Sequence, residues 1–235
     1  MSVIYMVRHG QASFGKENYD VLSATGVEQS RILAGFLMET GAVFDSIYSG
    51  TMERQRRTAE IMGERFRETG TAPPHRLMPE FNEYDTRSIL LALLEDIKKD
   101  DPTIEKEMER FFTDRKAFQR VFEKVMMRWI SLSGDAGGLE TWGQVKERVG
   151  AGLAAVMKEN GRGKTVLVVA SGGTISAAVQ SATGLSDEAA IRLNWQMVNS
   201  SVTRFMYDES KISLQSFNNF LHLELAGNGE MVTYR

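Results

Sequence analysis

The run Val3-Ile4-Tyr5-Met6-Val7 constrains the fold more than any other stretch, because it is almost wholly apolar and stops abruptly at Arg8-His9-Gly10. Such a run at the start of a chain reads as a strand buried on both faces, as in a parallel sheet covered by helices. Ligands of open α/β sheets sit just beyond the carboxyl ends of the strands. Arg8 and His9 therefore fall where chemistry is usually done. Arginine offers a planar, permanently charged fork for phosphate, and a neutral histidine can attack as a nucleophile to form a phosphohistidine. On the tripeptide alone a second reading stays open, that of a strand-end histidine that only satisfies a loop carbonyl.

Further along, strands alternate with helices. Ser23 is a good N-cap for an amphipathic helix reaching about Glu39, with Val27, Ile32, Leu33, Phe36 and Leu37 on one face. A strand is expected at 44–49, a helix from Met52 to about Arg67, and a short strand around Leu77 to Phe81. His75, in a Pro-rich approach, reads as a solvated loop residue. Later come a helix from about Thr141 to Lys158, the strand 165–170, a helix from Gly173 to about Ala182 and a closing hairpin, 202–207 with 212–217. The expected class is α/β, a mostly parallel central sheet with helices on both faces and antiparallel strands added by the hairpin.

This order brings Arg8 and His9, Arg54 and Ser171 to the carboxyl edge of one sheet. Gly172 and Gly173 would let a phosphate approach backbone N–H groups at a helix N-terminus, where partial positive charge favours an anion. Ser171 then has two readings, a hydrogen bond to phosphate or a helix N-cap.

Between Asp85 and Gly138 the pattern changes. Ile89, Leu90, Leu93, Leu94 and Ile97 line one helical face, and Phe118, Val121, Phe122, Val125, Met126 and Trp129 form a second stripe. These read as packing surfaces rather than a cofactor box. Residues 85–138 are expected to be a helical insertion or cap within one domain spanning 1–235, with the charge-rich run 105–115 as its solvated face.

Composition excludes several classes. Twenty-eight basic against 31 acidic side chains give a net charge of −3, without a basic run to mark a nucleic-acid footprint. The absence of cysteine removes disulfides and thiolate metal sites. No apolar stretch approaches membrane-spanning length, so a cytoplasmic protein with no membrane partner is expected. No cofactor and no metal are called for, since protein cations can clamp a phosphate. The oligomeric state is open, with a homodimer admissible.

Arg8-His9-Gly10 after a first strand resembles the histidine phosphatase superfamily, also called phosphoglycerate mutase-like. Tyr48-Ser49-Gly50 followed by Arg54, Thr58, Ala59 and Glu60 is similar to its second block, and Phe81-Asn82-Glu83 to its third. Leu22-Ser23 with Gly26 and Gln29, the helix start Glu140-Thr141-Trp142, and the stretch from Asn199 to Thr203 also match family habits. The resemblance implies a phosphoglycerate mutase-like fold, His9 as nucleophile, Arg8 and Arg54 as phosphate clamps and Glu83 as proton donor. The chain departs from the pattern in the fourth block, where the family's strand ends in Ser-His-Gly-Gly and this one reads Ala170-Ser171-Gly172-Gly173. Ser171 thus stands at the place of the second catalytic histidine, with Ser171 and Gly172 left to contact phosphate. His222, in Phe217-Asn218-Asn219-Phe220-Leu221-His222-Leu223, resembles a C-terminal motif seen in many family members without a catalytic assignment. The implied function is a phosphomonoester hydrolase of attenuated or unusual activity, owing to Ser171. A non-catalytic protein that binds phosphorylated ligands is the first alternative. A phosphoglycerate mutase ranks last, because the loop from Gln11 to Asp20 is short and lacks that branch's extended substrate-contact signature.

Overall fold

The structure is a computed structural model that describes residues 1–235 except 14–18, 69, 71–72, 112, 135, 228 and 235, and gives only the backbone of Arg115. The loop 11–20 on which the mutase was ranked last lies partly outside the described residues.

Among the described residues, six strands make one sheet in the order β3-β2-β4-β1-β5-β6. β1 (Ser2–Arg8) lies between β4 (Thr165–Ala170), to which it runs parallel, and β5 (Val202–Tyr207), to which it runs antiparallel. β2 (Ser46–Ser49) pairs in parallel with both β4 and β3 (His75–Leu77), and β6 (Ile212–Asn219) closes the hairpin with β5. The sheet is therefore mostly parallel with an antiparallel margin.

Side chains alternate across the pleat, so each central strand feeds two buried layers. Ile4, Met6, Val166, Val168 and Ala170 enter one layer; Val7, Leu167 and Val169 enter the other. The second layer is covered by α1 (Ala24–Glu39) and α2 (Glu53–Arg67). The first is covered by α6 (Trp142–Asn160), α7 (Gly172–Thr183) and α8 (Asp187–Asn194), with α3 (Thr86–Asp100), α4 (Thr103–Glu109) and α5 (Arg115–Ile130) packed further out. The two stripes read from the sequence meet there: Ile89, Leu93 and Ile97 of α3 and Val121, Val125, Met126 and Trp129 of α5 are all buried. A short α9 (Leu221–Leu225) packs on α1.

Several expectations need correcting. The strand placed around 77–81 lies earlier, at 75–77, and Pro79–Phe81 is a 3₁₀ turn. Pro79 has no N–H to give a ladder, which ends the strand before it. His75 is consequently not a solvated loop residue; it opens β3, half-buried, and its Nε2 lies 2.9 Å from Ser49 Oγ. The face of α1 is also rotated from the apolar stripe. Gly26, Gln29 and Ser30 are buried with Leu33, Ala34 and Leu37, while Val27, Ile32 and Phe36 sit at the flanks. The first turn of α1 packs backbone against backbone on the loop after β1. A Cβ on Gly10 would lie 2.3 Å from Gly26 O, and one on Gly26 would lie 2.2 Å from Gln11 O.

Candidate active site

β1 and β4 are in register at Arg8 and Ala170, and His9 N–H donates to Ala170 O at 2.9 Å. His9 and Ser171 are thus lateral neighbours at the carboxyl edge. The first turn of α2 lies across them.

His9 is buried, and its ring has a defined tautomer. Nδ1 sits 2.7 Å from Gly10 O, which can only accept, so Nδ1 carries the hydrogen. Nε2 then presents a lone pair and accepts from Arg54 Nε at 3.1 Å. Burial, followed by the positive charges of Arg54 and Arg8, holds the His9 pKa well below the usual imidazole range. The ring is neutral at physiological pH, with its free nitrogen facing a guanidinium.

Arg54 is itself fixed from the loop before α1. Asp20 accepts from Arg54 Nη1 at 2.6 Å and from the N–H of Glu53 at 2.8 Å, capping a helix whose own N-cap, Met52, has no side-chain acceptor. The guanidinium lies 5.5 Å from the Tyr19 ring centre. Thr58, one turn on, takes a hydrogen bond from Gly10 N–H at 3.1 Å and gives one to Arg54 O at 2.8 Å. Asp20 and Thr58 were not singled out as site residues from the sequence, although Thr58 belongs to the quoted second block.

The Arg8 fork is engaged by backbone. Nη1 donates to Met197 O, and Nη2 to Tyr234 O at 3.1 Å. Its Nε has no hydrogen-bond partner among the described residues. A Cβ on Gly172 would sit in ordinary contact with that Nε, at 3.7 Å, but only 2.0 Å from Asn194 Oδ1, so glycine leaves room for the Asn194 side chain beside the fork. Behind Arg8 and His9, Ser200 adopts φ 60 and gives its N–H to Arg8 O at 3.0 Å, while Asn199 Nδ2 donates to His9 O at 3.3 Å. His222 lies within this supporting layer, with Nε2 2.9 Å from Ser200 Oγ, and burial lowers its pKa to about 4.

Glu83 follows a loop fastened on three sides. Arg148 Nη1 donates to Glu80 O at 2.9 Å and Asn82 O at 2.7 Å, Thr174 Oγ1 donates to Asn82 O at 3.0 Å, and Asn82 Oδ1 accepts from Thr51 N–H at 2.7 Å. The carboxylate accepts from Gly173 N–H at 3.0 Å and from Tyr84 N–H at 3.2 Å. Desolvation raises its pKa, opposed chiefly by the Gly173 bond. A Cβ on Gly173 would lie 2.3 Å from Glu83 Oε1. The Gly173 N–H, expected to be open to phosphate, is therefore taken by Glu83. Ser171 also differs from the N-cap reading, since its backbone precedes α7 but its side chain makes no capping bond. Its Oγ accepts from Gln55 Nε2 at 2.8 Å instead.

A cleft of about 510 Å³ opens beside Gly134, Gly138, Glu140 and Arg148, and none of His9, Arg54, Glu83 or Ser171 lines it. Among the described residues no group of three His, Asp or Glu side chains could hold a metal ion, and no helix is long and apolar enough to cross a membrane.

The sequence profile of the histidine phosphatase superfamily (branch 1) matches residues 4–220. A phosphoserine phosphatase mutant from Entamoeba histolytica, solved in complex with phosphoserine, is similar in fold at 19% identity and a TM-score of 0.65, over 95% of this chain and 100% of that one. A phosphoglycerate mutase from Bacillus anthracis is similar at 16% identity and a TM-score of 0.64, over 97% of both chains. A putative alpha-ribazole-5'-P phosphatase from Escherichia coli is similar at 19% identity and a TM-score of 0.61, over 93% of this chain and 96% of that one. No curated protein matches the chain.

Proposed function

The chain belongs to the histidine phosphatase superfamily, and from that premise we propose that it hydrolyses small phosphomonoesters through a phosphohistidine at His9. The observation that carries this reading is the neutral His9 ring, with Nδ1–H tied to Gly10 O and the Nε2 lone pair facing Arg54. Nε2 attacks phosphorus and the bond to the ester oxygen breaks. Arg8 Nε, Arg54 and Ser171, with the Gly172 backbone beside them, hold the phosphoryl oxygens as charge redistributes among them. Glu83, whose pKa is raised by desolvation, gives its proton to the departing alkoxide. Water then attacks the phosphohistidine, Glu83 takes a proton from it, and phosphate leaves with His9 neutral again. Residues 85–138 serve in this proposal as a cap within a single domain, placed next to Glu83 to select the leaving group.

A non-catalytic phospholigand-binding protein is the second reading, and one observation favours it. The strand end beside His9 carries a neutral serine hydroxyl, which can bind a phosphoryl oxygen but supplies no charge to the transition state. A panel of phosphomonoesters, assayed with wild type and His9→Ala and combined with trapping of acid-labile phosphoprotein, separates the two. Turnover and trapped phosphate lost with His9 support the hydrolase. Equal rates from both proteins overturn it.

A further inference from the structure

α2 delivers consecutive residues to the two strand ends, Arg54 to His9 at 3.1 Å and Gln55 to Ser171 at 2.8 Å. Gln55 and Ser171 are both buried. The Gln55 amide nitrogen also donates to Phe81 O at 3.0 Å. A carbonyl only accepts, so Phe81 decides which end of the amide faces inward. Both N–H groups of Gln55 are then used, one on Phe81 O and one on Ser171 Oγ. Gln55 Oε1 lies on the other side against Gly50, where a Cβ would come within 1.9 Å of it, and it has no hydrogen-bond partner among the described residues. A buried amide kept with one unpaired oxygen calls for an explanation beyond packing.

The direction of the Gln55–Ser171 bond supplies one. An amide nitrogen cannot accept, so the Ser171 hydroxyl keeps its own proton for another partner. Ser171 Oγ gives that proton to no acceptor among the described residues, and the serine stands beside His9 in the sheet. We propose that Gln55 is a positioning residue that occupies the acceptor side of the Ser171 hydroxyl and so presents its O–H as the phosphoryl-oxygen donor opposite His9. The proposal rests on the site binding a phosphoryl group, as the hydrolase reading requires. The resulting donor is neutral and does not titrate between pH 5 and 8, unlike an imidazole.

The test measures the Kd for inorganic phosphate and orthovanadate, kcat and KM on an aryl phosphate, and Tm, for wild type, Ser171→Ala, Gln55→Met and the double variant. Methionine has nearly the volume of glutamine but cannot donate, so packing is retained while the hydrogen bond is lost. Each single variant is expected to weaken phosphate and vanadate binding about three- to tenfold, and the double no more than either single, because the two residues act as one donor. Ser171→Ala without an effect on Kd overturns the proposal, as do fully additive losses or a Gln55→Met variant that loses only Tm. Ser171→Ala removes no capping bond, so an unchanged Kd in that variant overturns the proposal even if Gln55→Met fails to fold, and Gln55→Leu, which also cannot donate, then carries the Gln55 arm with the same expected loss. Vanadate binding that weakens non-additively across the variants, with no turnover by the wild type, upholds the pair and rejects the hydrolase; wild-type turnover with additive losses does the reverse.

Discussion

The ends of β1 and β4 lie side by side in register and carry opposite chemistry. At the end of β1 an imidazole is held neutral by burial and two guanidinium charges, with one nitrogen fixed and the other facing Arg54. At the end of β4 an uncharged hydroxyl takes a hydrogen bond from an amide. The sheet gives both ends the same location. What differs is one side chain at each end and the residue that α2 brings to it, so the function of a strand end is set by its neighbours across the edge as much as by its place in the sheet.

The comparison breaks most readily at His9. If the chemistry belongs to the β1 end, His9→Ala lowers phosphatase turnover by on the order of a thousandfold or more, while inorganic phosphate still binds. Turnover that survives, measured with the same phosphomonoester panel, would move the chemistry elsewhere.

Glu83 sharpens the comparison next, because its carboxylate bonds Gly173 just beyond the β4 end. Glu83→Gln should slow alkyl phosphates by roughly a hundredfold and activated aryl phosphates far less. The raised pKa sets the sign of the pH dependence: the acid form dominates below it, so kcat for alkyl esters falls as pH rises through that value, and the variant loses this limb. Stability follows the same sign. A carboxyl with a folded pKa above its unfolded one contributes stability at low pH that is lost as pH rises through the folded pKa. Equal losses on both ester classes would leave Glu83 a structural role only.

Ser171→His asks whether the two strand ends are interchangeable. Ser171 is buried against Gln55, so a ring there overpacks the edge by about 1–3 kcal/mol and lowers Tm by roughly 3–10 °C. Adding Gln55→Ala should return most of that loss. A single variant with unchanged Tm and a tenfold gain in kcat/KM would show that the pocket already accommodates a histidine and that the serine site is only a weakened one.

The smallest effect is expected at Asp20. Its bond to Arg54 is partly exposed, and Asp20→Asn should raise KM roughly two- to fivefold with kcat nearly unchanged. A large fall in kcat would mean that Asp20 orders Arg54 for the chemical step.

The legible parts of the fold share one property, that the signal lies within a few residues. The strand at 165–170 is a continuous apolar run, Ser23 caps α1 through Gly26 N–H, and Thr141 and Gln144 form a capping box for α6. The short strand β3 carries no such pattern. Its three residues are held by pairing with β2, and Pro79 dictates only where it must stop. The buried face of α1 is not local information either, since the burial of Gln29 depends on acceptors at Met231 and Thr233, more than 200 residues away.

The candidate site divides along the same line. Sequence by itself determined which residue types stand at the strand ends: the Arg8-His9 pair, the departure at Ser171, the two glycines after it, and Glu83 behind Asn82. Tertiary structure alone decided their states. The His9 tautomer depends on Gly10 O and Arg54, the raised Glu83 pKa on burial, the Arg8 fork on carbonyls at 197 and 234, and the Ser171 hydroxyl on Gln55. A residue's type is local information, whereas its charge, tautomer and hydrogen-bond direction are set by desolvation and by partners that only folding brings near.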